Sequence, residues 1–164
     1  MNQCKLTSAN ARQVIGLISD THGLLRPEVA SVLTGSDLIV HAGDIGKAEV
    51  LVELKKIAPL VAIKGNVDRD EWARSVPDRR SVRVGLHRLY LIHNVQELDL
   101  DPVKRKLRVI VSGHSHKPLI AEKDGVLLVN PGSAGPRRFK LPVAVGKLFV
   151  HGQDVRAEII ELNL

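Results

Sequence analysis

Between residues 14 and 68 the chain alternates three short runs of branched apolar side chains with two amphipathic stretches. Each run ends on polar residues able to hold a ligand. Residues 14–18 run into Ser19-Asp20-Thr21-His22-Gly23, residues 38–40 into Ala42-Gly43-Asp44, and residues 60–63 into Gly65-Asn66-Val67-Asp68. Short apolar runs bounded by turn residues read as buried strands. After Gly23, Pro27 presets a helical dihedral and Glu28 suits the positive end of a helix dipole. Val29, Val32 and Leu33 then give one apolar face before Gly35. Residues 47–58 carry a stripe of Val50, Leu51, Leu54, Ile57 and Ala58, with Glu49 and Glu53 early, Lys55 and Lys56 late, and Pro59 as a stop. Strand-helix-strand-helix-strand predicts an α/β fold with a parallel sheet and right-handed crossovers. Sites in such sheets form at the carboxyl ends of strands, where Asp20, His22, Asp44 and Asn66 all stand.

The second half reads differently. Residues 70–75 form a short helix holding Trp72. Residues 81–84 and 89–92 alternate around Gly85 as a hairpin that ends on His93. Residues 99–106 are polar, a loop with a helical turn. Residues 108–111 make a strand leading into Ser112-Gly113-His114-Ser115-His116. A second hairpin joins 119–122 to 126–129 through Lys123-Asp124-Gly125, Asn130-Pro131-Gly132-Ser133 follows, and 143–150 with 155–162 form a last antiparallel pair. Without an internal repeat or a linker, residues 1–164 read as a single domain, with residues 1–12 a loose extension.

Composition narrows the function. A chain of 164 residues is long enough to bury roughly 70% of its unfolded surface. One Trp, one Tyr and two Phe leave the core to Val, Leu, Ile and Ala, and leave little for stacking nucleobases. Cys4 has no cysteine partner and lies far from the other polar motifs, so neither a disulfide nor a catalytic thiol is expected. No leader-like run and no stretch near the roughly 20 apolar residues of a membrane span is present, which places the protein in the cytoplasm and off the membrane. The net charge of +6 suits an anionic partner, a phosphate ester or a nucleic acid.

The polar residues just past strand ends are Asp20, His22, Asp44, Asn66, His93, His114 and His116. Asp20 with His22, and His114 with His116, stand two apart, so in extended chain each pair leaves one face together. Two carboxylates, an amide oxygen and four imidazoles suit first-row ions such as Mn, Fe, Zn or Co. Seven ligands exceed the needs of one ion. Two ions sharing a carboxylate would use them all.

The pieces Asp20-Thr21-His22, Gly43-Asp44, Gly65-Asn66-Val67-Asp68, His93, Gly113-His114-Ser115-His116 and Asn130-Pro131-Gly132-Ser133, in that order, resemble the calcineurin-like metallophosphoesterases. Within them, the chain is similar to the small bacterial and archaeal phosphodiesterases. The resemblance implies a four-layer α/β/β/α sandwich of two mixed sheets flanked by helices. It also implies a dinuclear site for two divalent cations, manganese foremost, with iron, zinc, nickel or cobalt as alternatives. By the same resemblance Asp20, His22 and His116 hold the first ion, Asn66, His93 and His114 the second, and Asp44 bridges them. Asn66 would also help hold the phosphate. Two ions roughly 3.5–4 Å apart clamp phosphoryl oxygens and acidify a bridging water, so the implied nucleophile is a hydroxide.

The family pattern breaks after Gly65-Asn66, where many members carry a His that assists the leaving alkoxide. Val67 can neither donate a proton nor bind charge, which turns the expectation from alkyl monoesters toward phosphodiesters, with Asp68 or water assisting departure. Asn94 replaces a frequent Gly after His93, a smaller departure. Asp68 reads either as a partner orienting a ligand or as a helix cap. Asn130 to Ser133 reads as a turn supporting the site. His41, His87 and His151 fit no ligand position and read as structural or surface residues. Arg79, Arg80, Arg83, Lys104, Arg105, Lys106 and Arg108 read as solvated faces, while Arg137 and Arg138, close after the Asn130 turn, leave open whether either reaches the substrate. The expected partner is a small phosphoester, and a homo-oligomer is compatible. Two other readings compete: a protein-binding scaffold, since this fold also serves as a platform in a retromer subunit, and a nuclease, suggested by the basic charge.

Overall fold

The structure, a computed structural model, describes residues 11–164. Cys4 and most of the expected extension lie outside the described residues. Ten strands form two five-stranded mixed sheets. The first has the order β10-β9-β1-β2-β3, with β1 (Arg12–Ile18), β2 (Leu38–His41) and β3 (Leu60–Ala62) parallel, and β9 (Val143–His151) antiparallel to both β1 and β10 (Asp154–Leu162). The second has the order β4-β5-β6-β8-β7. Here β5 (His87–Ile92), β6 (Val109–Val111) and β8 (Val126–Asn130) are parallel, flanked by antiparallel β4 (Arg79–Val84) and β7 (Leu119–Lys123). Both expected hairpins and the final pair form. Arg12, expected in the loose extension, instead begins β1 opposite His151, because β9 supplies a partner for it.

The apolar runs of the first half are continuous because both of their faces are buried. Ile15, Leu17, Val40 and Ala42 pack against Leu89, Leu91, Val109, Val111 and Val129 of the second sheet, forming the core between the sheets. On the opposite face Ile18, Ile39 and Val145 meet α1 (Pro27–Leu33) and α2 (Ala48–Lys55) through Val29, Leu33, Val50 and Leu54. Helix α2 is shorter than the expected 47–58: Lys56 N–H donates to Glu53 O at the cap, and the chain turns before Pro59. The outer layer over the second sheet is thin. A 3₁₀ turn (Val95–Glu97) and the following loop cover Ile92, Leu107, Ile110 and Val126, the charged, Pro102-containing segment being too short and polar for a full helix. A second 3₁₀ turn, Glu71–Ser75, holds Trp72 against the α1–α2 core. Among the described residues no helix is long and apolar enough to cross a membrane.

Candidate metal centre

All the expected ligand residues lie just past the carboxyl ends of parallel strands: Asp20 and His22 after β1, Asp44 after β2, Asn66 after β3, His93 after β5, His114 and His116 after β6. The premise that the Asp20–His22 and His114–His116 pairs share a face through extended backbone is overturned. Asp20 (φ 55°), His22 (φ 47°), Asp44 (φ 55°), His114 (φ 71°) and His116 (φ 63°) all adopt the left-handed conformation. That region costs an L-residue roughly 1–2 kcal/mol, so five such residues at one place must be held by their surroundings.

The holding contacts are mostly backbone. Asp20 N–H donates to Gly43 O at 2.9 Å, His22 N–H to Asp44 O at 3.0 Å and Gly23 N–H to Ile45 O at 2.7 Å, stitching the first two loops together. The Asp68 carboxylate, itself buried, accepts from Gly65 N–H (2.8 Å), Gly46 N–H (2.9 Å) and Ile45 N–H (3.0 Å), tying the third loop to the second. Asp68 therefore orients the chain just after Asp44 and caps no helix. Gly65 is required by close approach, since a Cβ there would overlap Asp44 Oδ1 and its backbone nitrogen. Buried His41 accepts from Gly43 N–H on Nδ1 (3.1 Å), which leaves Nε2 as the protonated nitrogen facing Thr21 Oγ1 at 3.0 Å; Thr21 in turn donates to Ile45 O. Burial depresses the His41 pKa to about 3, keeping it neutral. His87 is also buried, against Gly152 O, and His151 is exposed.

From the second sheet, Asn130 Nδ2 donates to Gly113 O (2.9 Å) and Ser115 Oγ (3.1 Å), while Ser133 Oγ donates to Asp20 O and Ala134 N–H to Ser19 O. The turn at 130–133 thus braces the loops of both sheets.

Each carboxylate uses one oxygen for the fold and presents the other. Asp20 Oδ2 accepts from Ser19 Oγ (2.8 Å) and His114 N–H (3.2 Å), and Asp44 Oδ1 accepts from Val67 N–H (3.1 Å). Asp20 Oδ1 lies 3.5 Å from His116 Nε2, 3.9 Å from His93 Nε2 and 4.0 Å from His22 Nε2. Asp44 Oδ2 lies 3.3 Å from His93 Nε2 and 3.6 Å from His22 Nε2. Asp20 Oδ1, His22 Nε2 and His93 Nε2 are buried without a hydrogen-bond partner among the described residues. In neutral His93, Nδ1–H donates to Ala42 O at 2.8 Å, so the lone pair of Nε2 points at the two carboxylates. Converging lone pairs repel unless a cation lies between them. Ligand atoms each about 2.0–2.2 Å from one ion stand roughly 3–4 Å apart, the spacing found here. Asp20, His22 and His116 form one group able to hold a metal ion, and Asp20, Asp44 and His93 another. His114 and Asn66 are exposed at the edge, with the His114 ring edge-on to His93 at 5.3 Å between centroids.

The charges agree. Burial raises the Asp20 pKa to about 6, although His93 and Ser19 oppose the shift. Burial would also raise Asp44, but the proximity of His93 at 3.3 Å, with Val67 N–H and His22, brings it to about 2. Burial opposes a raised His93 pKa, yet Asp44 and the Ala42 carbonyl carry it upward. In His116 burial, then the charges of Arg138 and His22, lower the value to about 4. Burial also lowers His22, with Asp44 opposing and Arg138 adding to the shift. Arg138, at the exposed end of the segment after Ser133, therefore adds its charge to the site.

The sequence profile of the calcineurin-like phosphoesterase superfamily domain matches residues 14–151. The chain belongs to this superfamily. A relative in Methanothermobacter thermautotrophicus, named a probable metallophosphoesterase, is 35% identical over 159 residues, covering 90% of this chain and 91% of its own. A protein named phosphodiesterase from Methanocaldococcus jannaschii is 25% identical over 166 residues, 90% of this chain and 99% of its own. The solved structure of vacuolar protein sorting 29 from Cryptosporidium parvum shares the fold, with a TM-score of 0.74 at 20% identity over 93% of this chain and 99% of that one.

Proposed function

We propose that the protein is a dinuclear metal-dependent phosphodiesterase. The observation that carries this reading is the convergence of Asp20 Oδ1, Asp44 Oδ2 and three imidazole nitrogens at 3.3–4.0 Å, three of these atoms buried and without partners. Asp20, His22 and His116 are assigned to one ion, His93, His114 and Asn66 to the other, and Asp44 to both. Asp44 Oδ2 supports that role by lying near one imidazole of each set, and Asp20 Oδ1 reaches both sets as well. Two divalent ions there would attract a phosphate oxyanion and supply a nucleophilic hydroxide near neutral pH. The chain's own contribution is to hold both carboxylates aimed, to keep Asp44 ionised, to fix His93 through Ala42 O, and to supply Asn66 and the charge of Arg138 for the phosphate. Val67 offers no acid to a leaving alkoxide, which favours diesters over alkyl monoesters. The phosphodiesterase name of the M. jannaschii relative agrees.

Hydrolysis of diesters and monoesters with Mn, Ni, Co, Zn or Mg added in turn, beside elemental analysis of the reconstituted protein, tests the reading. The expected result is two ions per chain, manganese the best activator, and diesters cleaved faster than monoesters. A protein that binds no metal and cleaves neither ester class would instead be a binding scaffold. Tight, salt-sensitive binding of long polynucleotides with their cleavage would make it a nuclease.

A further inference from the structure

A cavity of about 610 Å³ opens beside the candidate centre on the side of His93 and Asn66. Its size is that of a site for a small organic group. Lys64, Arg69, Arg74 and Arg79 all line it. Lys64 Nζ lies 3.9 Å from Asp78, and Arg79 is held by Asp99 at 2.6 Å and by Glu97 O at 3.0 Å. Arg69 differs. Its Nε–H donates to the backbone carbonyl of Asn66 at 3.0 Å, and among the described residues no carboxylate lies within ion-pair distance of its guanidinium. A guanidinium anchored through one N–H keeps four more to donate. The anchor is the backbone of a residue assigned to the phosphate, and neighbouring Val67, 49% exposed, presents only methyl groups.

We propose that the cavity takes the leaving arm of the diester and that Arg69 hydrogen-bonds the departing oxygen. The inference rests on the phosphodiesterase reading above and deepens it. In the reaction, hydroxide forms a new bond to phosphorus, the bond from phosphorus to the ester oxygen breaks, and its electron pair goes to that oxygen. Arg69 is far too weak an acid to protonate it. It stabilises the charge as it develops, and solvent water then supplies the proton. Charge stabilisation without proton donation selects diesters whose leaving oxygen departs as a tolerable anion, such as aryl or electron-poor esters, with an arm that fits the cavity.

The test is a series of methyl aryl phosphodiesters, from nitrophenyl to phenyl, hydrolysed by the metal-loaded wild type, Arg69→Ala and Arg69→Gln. Arg69→Gln can keep an N–H to the Asn66 carbonyl and so separates the anchor from the charge. Both variants are expected to lose roughly tenfold in kcat/KM on the nitrophenyl ester and roughly a hundredfold or more on the phenyl ester. The leaving-group dependence steepens, and added guanidinium restores part of the Arg69→Ala rate. A loss equal across the series, or a steepening in Arg74→Ala with none in Arg69→Ala, would overturn the assignment of Arg69. A wild type inactive on every ester with every metal would overturn the phosphodiesterase reading and this proposal with it. Full activity of wild type with a uniform loss in the variants would overturn this proposal alone.

Discussion

Asp20 and Asp44 stand at the ends of neighbouring parallel strands, buried, with one oxygen of each bonded back into the fold. Asn66 and His114, at the edge of the same centre, are exposed, and the His114 ring meets the ring of His93 edge-on. The carboxylate side is built by backbone hydrogen bonds and by the triple clamp of Asp68, so its geometry exists before any ion arrives. The edge is more open to solvent. A rigid floor with a looser rim lets the centre pre-orient its most costly charges while still admitting a phosphate.

Removing the floor should have the largest effect. Asp44→Ala takes away the carboxylate between the two imidazole sets and is expected to lower kcat/KM at least about a thousandfold, with metal content falling in parallel. Near-normal rates would show that the floor is not shared. Next in size, Asp68→Ala leaves three backbone N–H groups without their acceptor and should destabilise the metal-free protein by about 3 kcal/mol in urea unfolding. His114→Ala at the rim should change the same midpoint by less than about 0.5 kcal/mol. Equal costs would erase the distinction between floor and rim. An effect smaller than the loss of Asp68 concerns pH. His41 is neutral in the folded protein down to about pH 3, whereas the unfolded chain takes up its proton below the ordinary value of 6.5. Its contribution is complete above pH 6.5 and is lost as pH falls, by about 2 kcal/mol at pH 5. The difference between the stability curves of wild type and His41→Gln should therefore be constant above pH 6.5 and shift against wild type by about 2 kcal/mol by pH 5. Parallel curves would mean that burial of His41 contributes nothing to the floor.

Which residues gather was legible in the chain because period and punctuation carry that information. Apolar runs of four or five residues stopped by Gly and polar residues mark buried strands, and the ligands follow their ends. Residue chemistry also separated Asp44 and His93 from bystanders such as His151. How the ligands are aimed was not legible. The two-residue spacing of Asp20 and His22 suggested extended chain, yet both residues are left-handed. The reason is non-local: the bonds that hold them come from Gly43, Asp44 and Ile45, which are distant in sequence. For Arg138 the sequence left open whether it reaches the site, and its effect on His22 and His116 depends on the turn at Ser133 being tied to the Asp20 loop.

The amino-acid order alone settled the α/β class, the strand ends and the polar side chains that follow them, since those depend on local periodicity and side-chain type. Only the tertiary structure decided that β9 pairs with β1, that Asp68 clamps two loops, and which oxygen of each carboxylate faces the centre. Those choices are made by contacts between segments far apart along the chain, whose energies no local pattern encodes.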